Sequence, residues 1–342
     1  MAADIAAGPL EDYLSRHIAG FSGPLAIARF RGGQSNPTYK LTSPSGQYVL
    51  RRKPPGKLLP SAHAVEREYR VTAALHAAGF PVARPHLLCT DDGVIGTAFY
   101  VMDFVAGRIF WEPHAPGLSG EERALLFASL NQTLARLHEY DFAALGLADF
   151  GKPTGYVARQ IARWSEQYRT SETEKIDAMD RLIAWLPEAC PKQTGAALVH
   201  GDFRLDNCIV HAREPRIVAV LDWELATIGD PLADFTYHLM QWFMPVSEAG
   251  SGVGSLMGHE NDPGIPPLAD YIAQYCQATG RAVIADLNVY MAYNFFRLAA
   301  ILQGILGRVR DGTAANTQAA AMAANVRPLA ETAWGFARKA GA

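Results

Sequence analysis

One stretch of this 342-residue chain leaves little freedom in what it can become. Ala196 to Asp234 reads A-A-L-V-H-G-D-F-R-L-D-N-C-I-V, then I-V-A-V-L-D-W-E, then G-D-P-L-A-D. Two short apolar runs each deliver polar residues at their ends. Asp202 follows the first, Asn207 stands five residues on, and Asp222 closes an apolar run fifteen residues further. A short loop can present Asp202 and Asn207 to one cleft, and a hairpin can return Asp222 beside them. That spacing suits phosphoryl transfer. An acceptor hydroxyl needs one carboxylate to orient it and take its proton, while nucleotide phosphates need a separate oxygen set for magnesium. Any one of these residues alone would read as a turn or cap residue. Three of them at the ends of two apolar strands point to a site.

Composition narrows the alternatives. Hydrophobic residues make up 49% and charged residues 19%, ordinary for a globular chain with a sizeable core. Net charge is −3, from 31 basic and 34 acidic residues, with no basic block or stripe, which makes nucleic acid a poor candidate partner. Cys89, Cys190, Cys208 and Cys276 form no C-x-x-C and read as buried free thiols of a reducing compartment. The N-terminus has early acids and no signal-peptide pattern. No run of about 18 apolar residues stands out as a membrane span. The expectation is a cytoplasmic protein.

Along the chain, Leu10, Tyr13, Leu14 and Ile18 follow helical spacing. Strand-like runs follow at Leu25 to Arg31, Thr38 to Thr42 and Gln47 to Arg52, separated by G-G-Q-S-N-P and S-P-S-G. Ser61 would cap a helix running to Ala78 and stopping at Gly79. Two further strands, His86 to Thr90 and Thr97 to Met102, flank the turn D-D-G-V-I-G. Residues 1–105 thus form a small α+β lobe of five strands and one inserted helix. Residues 106–342 turn helical. Ser119-Gly-Glu-Glu starts a helix with Leu126, Leu130, Leu134 and Leu137 on one face. Helical patterns also cover Tyr156 to Tyr168, Glu172 to Trp185, Ala233 to Trp242, Pro267 to Thr279, Asp286 to Val309 and Ala314 to Ala340. The stretch from Phe243 to Pro266 has no periodicity and reads as a loop.

The small lobe should hold the nucleotide. In G-G-Q-S-N-P-T-Y, Gly32 and Gly33 allow a tight turn, while Ser35 and Asn36 can aim donors at phosphate oxygens. A plain hairpin turn would look the same. Strand alternation sets Val49, Arg51 and Lys53 on one face, and the helix offers Glu66 and Glu68 as partners for a phosphate-gripping cation. Phe99 to Gly107 reads as a buried strand running into a connecting segment whose backbone could meet an adenine edge.

At these residues the chain resembles the aminoglycoside phosphotransferase family, with a loop H-G-D-x-x-x-x-N in place of H-R-D-x-x-x-x-N. Within it the chain looks most like the kinase-like domain fused to acyl-CoA dehydrogenases. The shared segments are G-Q-S-N-P-T, Y-V-L-R-R-K-P-P-G, E-R-E-Y-R-V, H-G-D-F-R-L-D-N and V-L-D-W-E-L-A-T-I-G-D-P-L-A-D, from about residue 30 to 240. The resemblance implies a two-lobed, protein-kinase-like α+β fold using ATP and Mg2+. It makes Asp202 the catalytic base and Asn207 and Asp222 the magnesium ligands. Arg51 or Lys53 would take the place of the phosphate-gripping lysine, paired to Glu68. The Asp103 carbonyl and Val105 amide would contact adenine. Asp230 and Asp234 resemble a motif that caps the helix after the metal aspartate, and both read as structural.

The acceptor is less constrained. An aminoglycoside is a polycation and favours an acidic cleft, yet from Gln241 onward seven acids face seven basic residues. Aromatic residues such as Trp242, Phe243, Tyr271 and Tyr290 suit an apolar or acyl-bearing acceptor better. The fused relatives of this type act on 4-hydroxyacyl-CoA, which makes a hydroxyacyl-CoA the expected small-molecule acceptor, with a separate acyl-CoA dehydrogenase acting on the product. Two other readings stand beside it: an antibiotic kinase, and a catalytically silent nucleotide-binding pseudokinase. Retention of Asp202, Asn207 and Asp222 argues against the last.

Overall fold

Strand alternation decides the small lobe. The computed structural model describes residues 5–30, 36–54, 63–246, 254–311 and 324–342. Five strands, β1 (Ala26–Arg29), β2 (Thr38–Ser43), β3 (Gly46–Arg52), β4 (Pro85–Cys89) and β5 (Phe99–Asp103), form one antiparallel sheet in the order β1-β2-β3-β5-β4. In β3, Tyr48 and Leu50 turn inward and join Leu10 and Leu14 of helix α1 (Ala7–His17) in a buried cluster with Leu41, Phe99 and Val101. Each such side chain contributes about 1.5–3 kcal/mol by leaving water. Arg51 falls on the other face, toward the rest of the molecule.

Helix α2 (Val65–Ala77) crosses beneath that face and divides its contacts. Val65 packs with Ala98 and Tyr100 of the sheet side. Val71 and Leu75 belong instead to the large core of the helical part, with Phe80, Leu134 and Trp223. Its first turn lacks the expected cap: Ala64 precedes Val65 without a side-chain cap bond, and Ser61 lies outside the described residues. The segment D-D-G-V-I-G, read as a turn, closes into a single helical turn, α3 (Asp92–Ile95). Asp91 caps it by accepting from Gly93 N–H at 2.8 Å, and Gly96 ends it at φ +84°.

The helical part holds α4 (Gly120–Glu139), α5 (Tyr156–Ser171), α6 (Asp177–Ala189), α7 (Pro231–Leu239), α8 (Leu268–Ala278), α9 (Leu287–Arg310) and α10 (Val326–Lys339). The capping box at α4 forms as the sequence suggests. Ser119 Oγ accepts from Glu122 N–H at 3.2 Å and Ser119 N–H donates to Glu122 Oε2 at 2.9 Å. The expected helix Glu172 to Trp185 starts five residues later, at Asp177. The cause is α5, which runs on to Ser171, where Gln303 Nε2 of α9 donates to the Ser171 carbonyl at 2.6 Å and satisfies the helix end. Of the tail read as helix from Ala314, α10 covers Val326–Lys339, and residues 312–323 lie outside the described residues.

No membrane-length apolar run was expected, yet α9 is long and apolar enough to cross one. Its most apolar window is 83% buried inside the fold, against α10 and α5, which makes it a core helix. All four cysteines are unpaired thiols.

Between the two parts runs a linker of residues 104–108, and it is tied down. Four more strands, β6 (Ala197–Val199), β7 (Cys208–Val210), β8 (Ile217–Val220) and β9 (Thr227–Gly229), make two antiparallel pairs, β6 with β9 and β7 with β8. Arg108 pairs with Val210 of β7, N–H to carbonyl in both directions, at 2.7 and 2.9 Å. This approach requires glycine next door. A Cβ on Gly107 would stand 2.3 Å from Ile209 Cγ2 and 2.4 Å from the Val210 carbonyl oxygen. Gly107→Ala should therefore push the linker off β7 and cost about 1–3 kcal/mol, read as a lower urea midpoint at unchanged m-value. An unshifted midpoint would show that the linker yields without loss.

Candidate active site

The site is assembled by backbone register first. The β6–β9 pair sets Val199 opposite Thr227, and the β7–β8 hairpin sets Cys208 opposite Val220. The residues just before β7 and just after β8 therefore meet: Leu221 N–H donates to the Asn207 carbonyl at 2.8 Å. Buried His200 joins the two segments, its Nε2 donating to the Leu221 carbonyl at 2.8 Å and its Nδ1 accepting from Asp202 N–H at 3.2 Å. Gly201 between them holds φ +84°, and a Cβ there would lie 3.0 Å from the Leu225 Cβ and carbonyl oxygen. Only glycine takes that conformation in that space without strain.

Asp202 is half-buried and surrounded by donors. Its Oδ1 accepts from Tyr237 Oη–H at 2.6 Å and faces Arg204 Nε at 3.1 Å, while its Oδ2 accepts from Asn207 Nδ2 at 3.0 Å. Asn207 Nδ2 also donates to the Asp202 carbonyl at 2.9 Å. Both neighbours are acceptors, so the amide nitrogen must face Asp202, and the Asn207 Oδ1 is left as an oxygen donor for a cation. Asp222 follows β8 in left-handed backbone, φ +63°, with its side chain about a third exposed. Two oxygen donors from the protein, with phosphate oxygens completing the set, match what magnesium takes at nucleotide sites. The residues present fit the ion.

Across the cleft, the structure separates the two candidate cations. Arg51 Nε meets Glu68 Oε2 at 2.9 Å, and its Nη2 reaches Asp222 Oδ1 at 2.7 Å and Glu224 Oε2 at 3.3 Å. Lys53 pairs instead with Glu66. The Glu68 carboxylate is fully buried and further held by Asn36 Nδ2 at 2.7 Å and Tyr100 Oη at 3.2 Å. Asn36 therefore does not aim its amide at the cleft. Its nitrogen holds Glu68 and its Oδ1 meets His63 Nδ1 at 3.0 Å. Ser35 lies outside the described residues. Asp103 ends β5, its N–H bonded to the Arg84 carbonyl at 2.9 Å and its carboxylate to His86 Nε2 at 2.6 Å; half-buried Val105 follows in the linker.

The two aspartates read as structural hold the loop in place, while Tyr237 and Arg297 escaped the sequence reading. Asp230 does cap α7, accepting from Leu232 N–H at 2.9 Å. Asp234 does more: its carboxylate accepts from His200 N–H at 2.7 Å and Gly201 N–H at 2.8 Å, with His138 Nε2 at 3.1 Å. Burial alone would raise its pKa, but His138 and these donors hold it below the usual carboxylate value. Tyr237, one turn after Asp234 on α7, reaches Asp202 by the same helical spacing, which is the signal that could have found it. Near Asp202 lies a narrow pocket, with room for about 10 Å³, lined by Trp111, Pro113, Arg204, Asp206, Tyr237 and Gln241, among others.

The sequence profile of the phosphotransferase enzyme family matches residues 26–287. The chain belongs to that family. Its fold is protein-kinase-like. It is 43% identical over 340 residues to acyl-CoA dehydrogenase family member 10 of Mus musculus, covering 97% of this chain and 31% of that one. It is 41% identical over 329 residues to acyl-CoA dehydrogenase family member 11 of Homo sapiens, covering 94% and 42%. The chain thus spans less than half the length of these relatives. A crystal structure from Ralstonia eutropha JMP134, assigned as an aminoglycoside phosphotransferase, superposes with a TM-score of 0.89 at 46% identity, covering 98% of this chain and 99% of that one.

In this phosphotransferase one guanidinium serves three carboxylates. Burial alone would lower the pKa of Arg51, but Glu68 and Asp222 outweigh it and raise it. For Glu68, burial dominates, Arg51 opposes it, and Asp222 and Glu224 add to it, so its carboxyl is pushed up to about 7. A carboxyl with a raised folded pKa favours the folded state below its unfolded value, near 4.5, and loses that contribution as pH rises to about 7. Glu68→Gln should flatten this slope, which amounts to on the order of 3 kcal/mol between pH 4.5 and 7.5. Urea unfolding of both proteins at the two pH values checks it. Equal slopes would place the Glu68 pKa at its ordinary value.

Proposed function

We propose that this chain transfers the γ-phosphoryl group of ATP, with magnesium, to a hydroxyl of a small acyl-bearing molecule, a hydroxyacyl-CoA. The observation that carries the mechanism is the convergence of Asp202 and Asn207 from one loop, Asp222 from the end of β8 and Arg51 from β3 on one cleft. In this reading Asp202 orients the acceptor hydroxyl and takes its proton as the new O–P bond forms and ADP departs. Asn207 Oδ1 and Asp222 would hold magnesium, which would supply positive charge to the phosphate oxygens. Arg51, positioned by Glu68, grips the phosphates, and the Asp103 carbonyl and Val105 amide meet adenine at the linker.

The acceptor class rests on two supports. The matching relatives are named acyl-CoA dehydrogenase family members, and identity to them runs across nearly the whole chain. The pocket near Asp202 also presents an exposed Trp111, a large flat apolar surface that suits an acyl-bearing acceptor. A dehydrogenase would then consume the phosphorylated product.

Purified protein with ATP and magnesium, screened for ADP release against hydroxyacyl-CoAs, aminoglycosides, choline and sugars, tests the acceptor. Turnover confined to aminoglycosides would overturn the acyl reading. Asp222→Ala should abolish transfer at the same magnesium concentration. Asp202→Asn should keep nucleotide binding by calorimetry while kcat falls about 10²–10⁴-fold. Arg51→Ala should raise the KM for ATP far more than Lys53→Ala, and the opposite ranking would move the phosphate grip to Lys53.

A further inference from the structure

The phenol of Tyr237 has no part in the mechanism above, yet it makes the shortest contact to the catalytic carboxylate, 2.6 Å from Asp202 Oδ1. We infer that Tyr237 is a positioning residue that fixes the plane of the Asp202 carboxylate, and that Arg297 in turn fixes Tyr237. The inference rests on Asp202 being the base.

A carboxylate on a short side chain rotates easily about its last torsion, because that torsion joins tetrahedral to planar carbon and has only broad minima. Free rotation would swing the two oxygens through many directions and dilute the one orientation in which a lone pair meets the acceptor hydroxyl. Here the two oxygens are pinned from opposite sides. Asn207 Nδ2, itself tied to the Asp202 backbone carbonyl, holds Oδ2, and Tyr237 holds Oδ1. Arg204 also touches both oxygens, at 3.1 and 3.5 Å, but its guanidinium is shared with Asp206 at 3.2 Å. Tyr237 is the anchor set in rigid structure.

Three features make it rigid. Its side chain is buried on α7, with the residue 7% exposed. Arg297 of α9 lies over its ring at 5.2 Å from the centroid, and the same guanidinium donates from Nη2 to the Gly201 carbonyl at 3.1 Å. A single buried cation thus holds the backbone just before Asp202 and the ring that orients its carboxylate. Burial first, and then the Asp202 charge, raise the phenol's pKa, so it keeps its proton and acts toward Asp202 as a donor. An acceptor hydroxyl would therefore meet a carboxylate whose direction is already set.

Tyr237→Phe deletes one oxygen and leaves the ring on Arg297. It should lower kcat by about 10–100-fold, the scale on which misplacing a catalytic group acts, with the KM for ATP unchanged. Asp202→Asn and the double variant decide between a role through the base and a general packing role. If Tyr237 acts through Asp202, the double variant should be no slower than Asp202→Asn alone, because the group being positioned is already gone. If Tyr237 serves only packing, the two losses multiply and the inference falls. Wild-type kcat in Tyr237→Phe alongside a crippled Asp202→Asn would also overturn it while leaving the base in place. Full turnover in Asp202→Asn would remove the base reading itself, and with it the role assigned to Tyr237.

Discussion

The site depends on one buried carboxylate that never meets a substrate. Asp234 is almost wholly removed from water, a placement that costs several kcal/mol for an ion without partners. Two amide hydrogens from His200 and Gly201 and the ring of His138 answer that cost. His138 is held in turn by Tyr275 at 2.7 Å. The result joins α4, α7, α8 and the loop after β6 at one point. The loop that carries Asp202 has little regular secondary structure, so its shape comes from these bonds and from the left-handed turn at Gly201.

Much of this was legible in the sequence for a physical reason. Strands β2 and β3 of the small lobe alternate cleanly because one face packs on the α1 side, and alternation survives in the order of residues. The H-G-D and D-W-E segments were legible because loop, hairpin and strand ends are local in the chain. What was missed is mostly non-local. Nothing near Asp202 announces that Tyr237 and Arg297, on two later helices, complete its surroundings. The choice between Arg51 and Lys53 needed a third dimension too, since both lie on one face of the chain and only the helix opposite distinguishes their partners. Asn36 misled because a turn amide beside glycines looks free until Glu68 is seen beneath it. The late start of α6 followed from the extension of α5, held by a glutamine more than a hundred residues away.

Charge is distributed unevenly across the cleft. On the sheet side, Arg51 stands among Glu68, Asp222 and Glu224, with carboxylates in excess. On the helical side, Arg204 and Arg297 attend Asp202 and Asp206. The first cluster is poised to welcome a divalent cation, the second to steady a carboxylate that must stay fixed while a neutral hydroxyl approaches. Asp222 belongs to both halves, bonded to Arg51 across the cleft and carried by the β7–β8 hairpin beneath it.

Helix α2 has a mechanical consequence. Its first turn sits under the sheet and its later residues, Val71 and Leu75, are embedded in the large core. The helix therefore ties the sheet to the large core. An opening of the cleft that slid the sheet over this helix would carry Arg51 with the sheet and leave Glu68 on the helix. The ion pair between them is stretched by such a movement, so that cleft opening and loss of the phosphate grip become the same event.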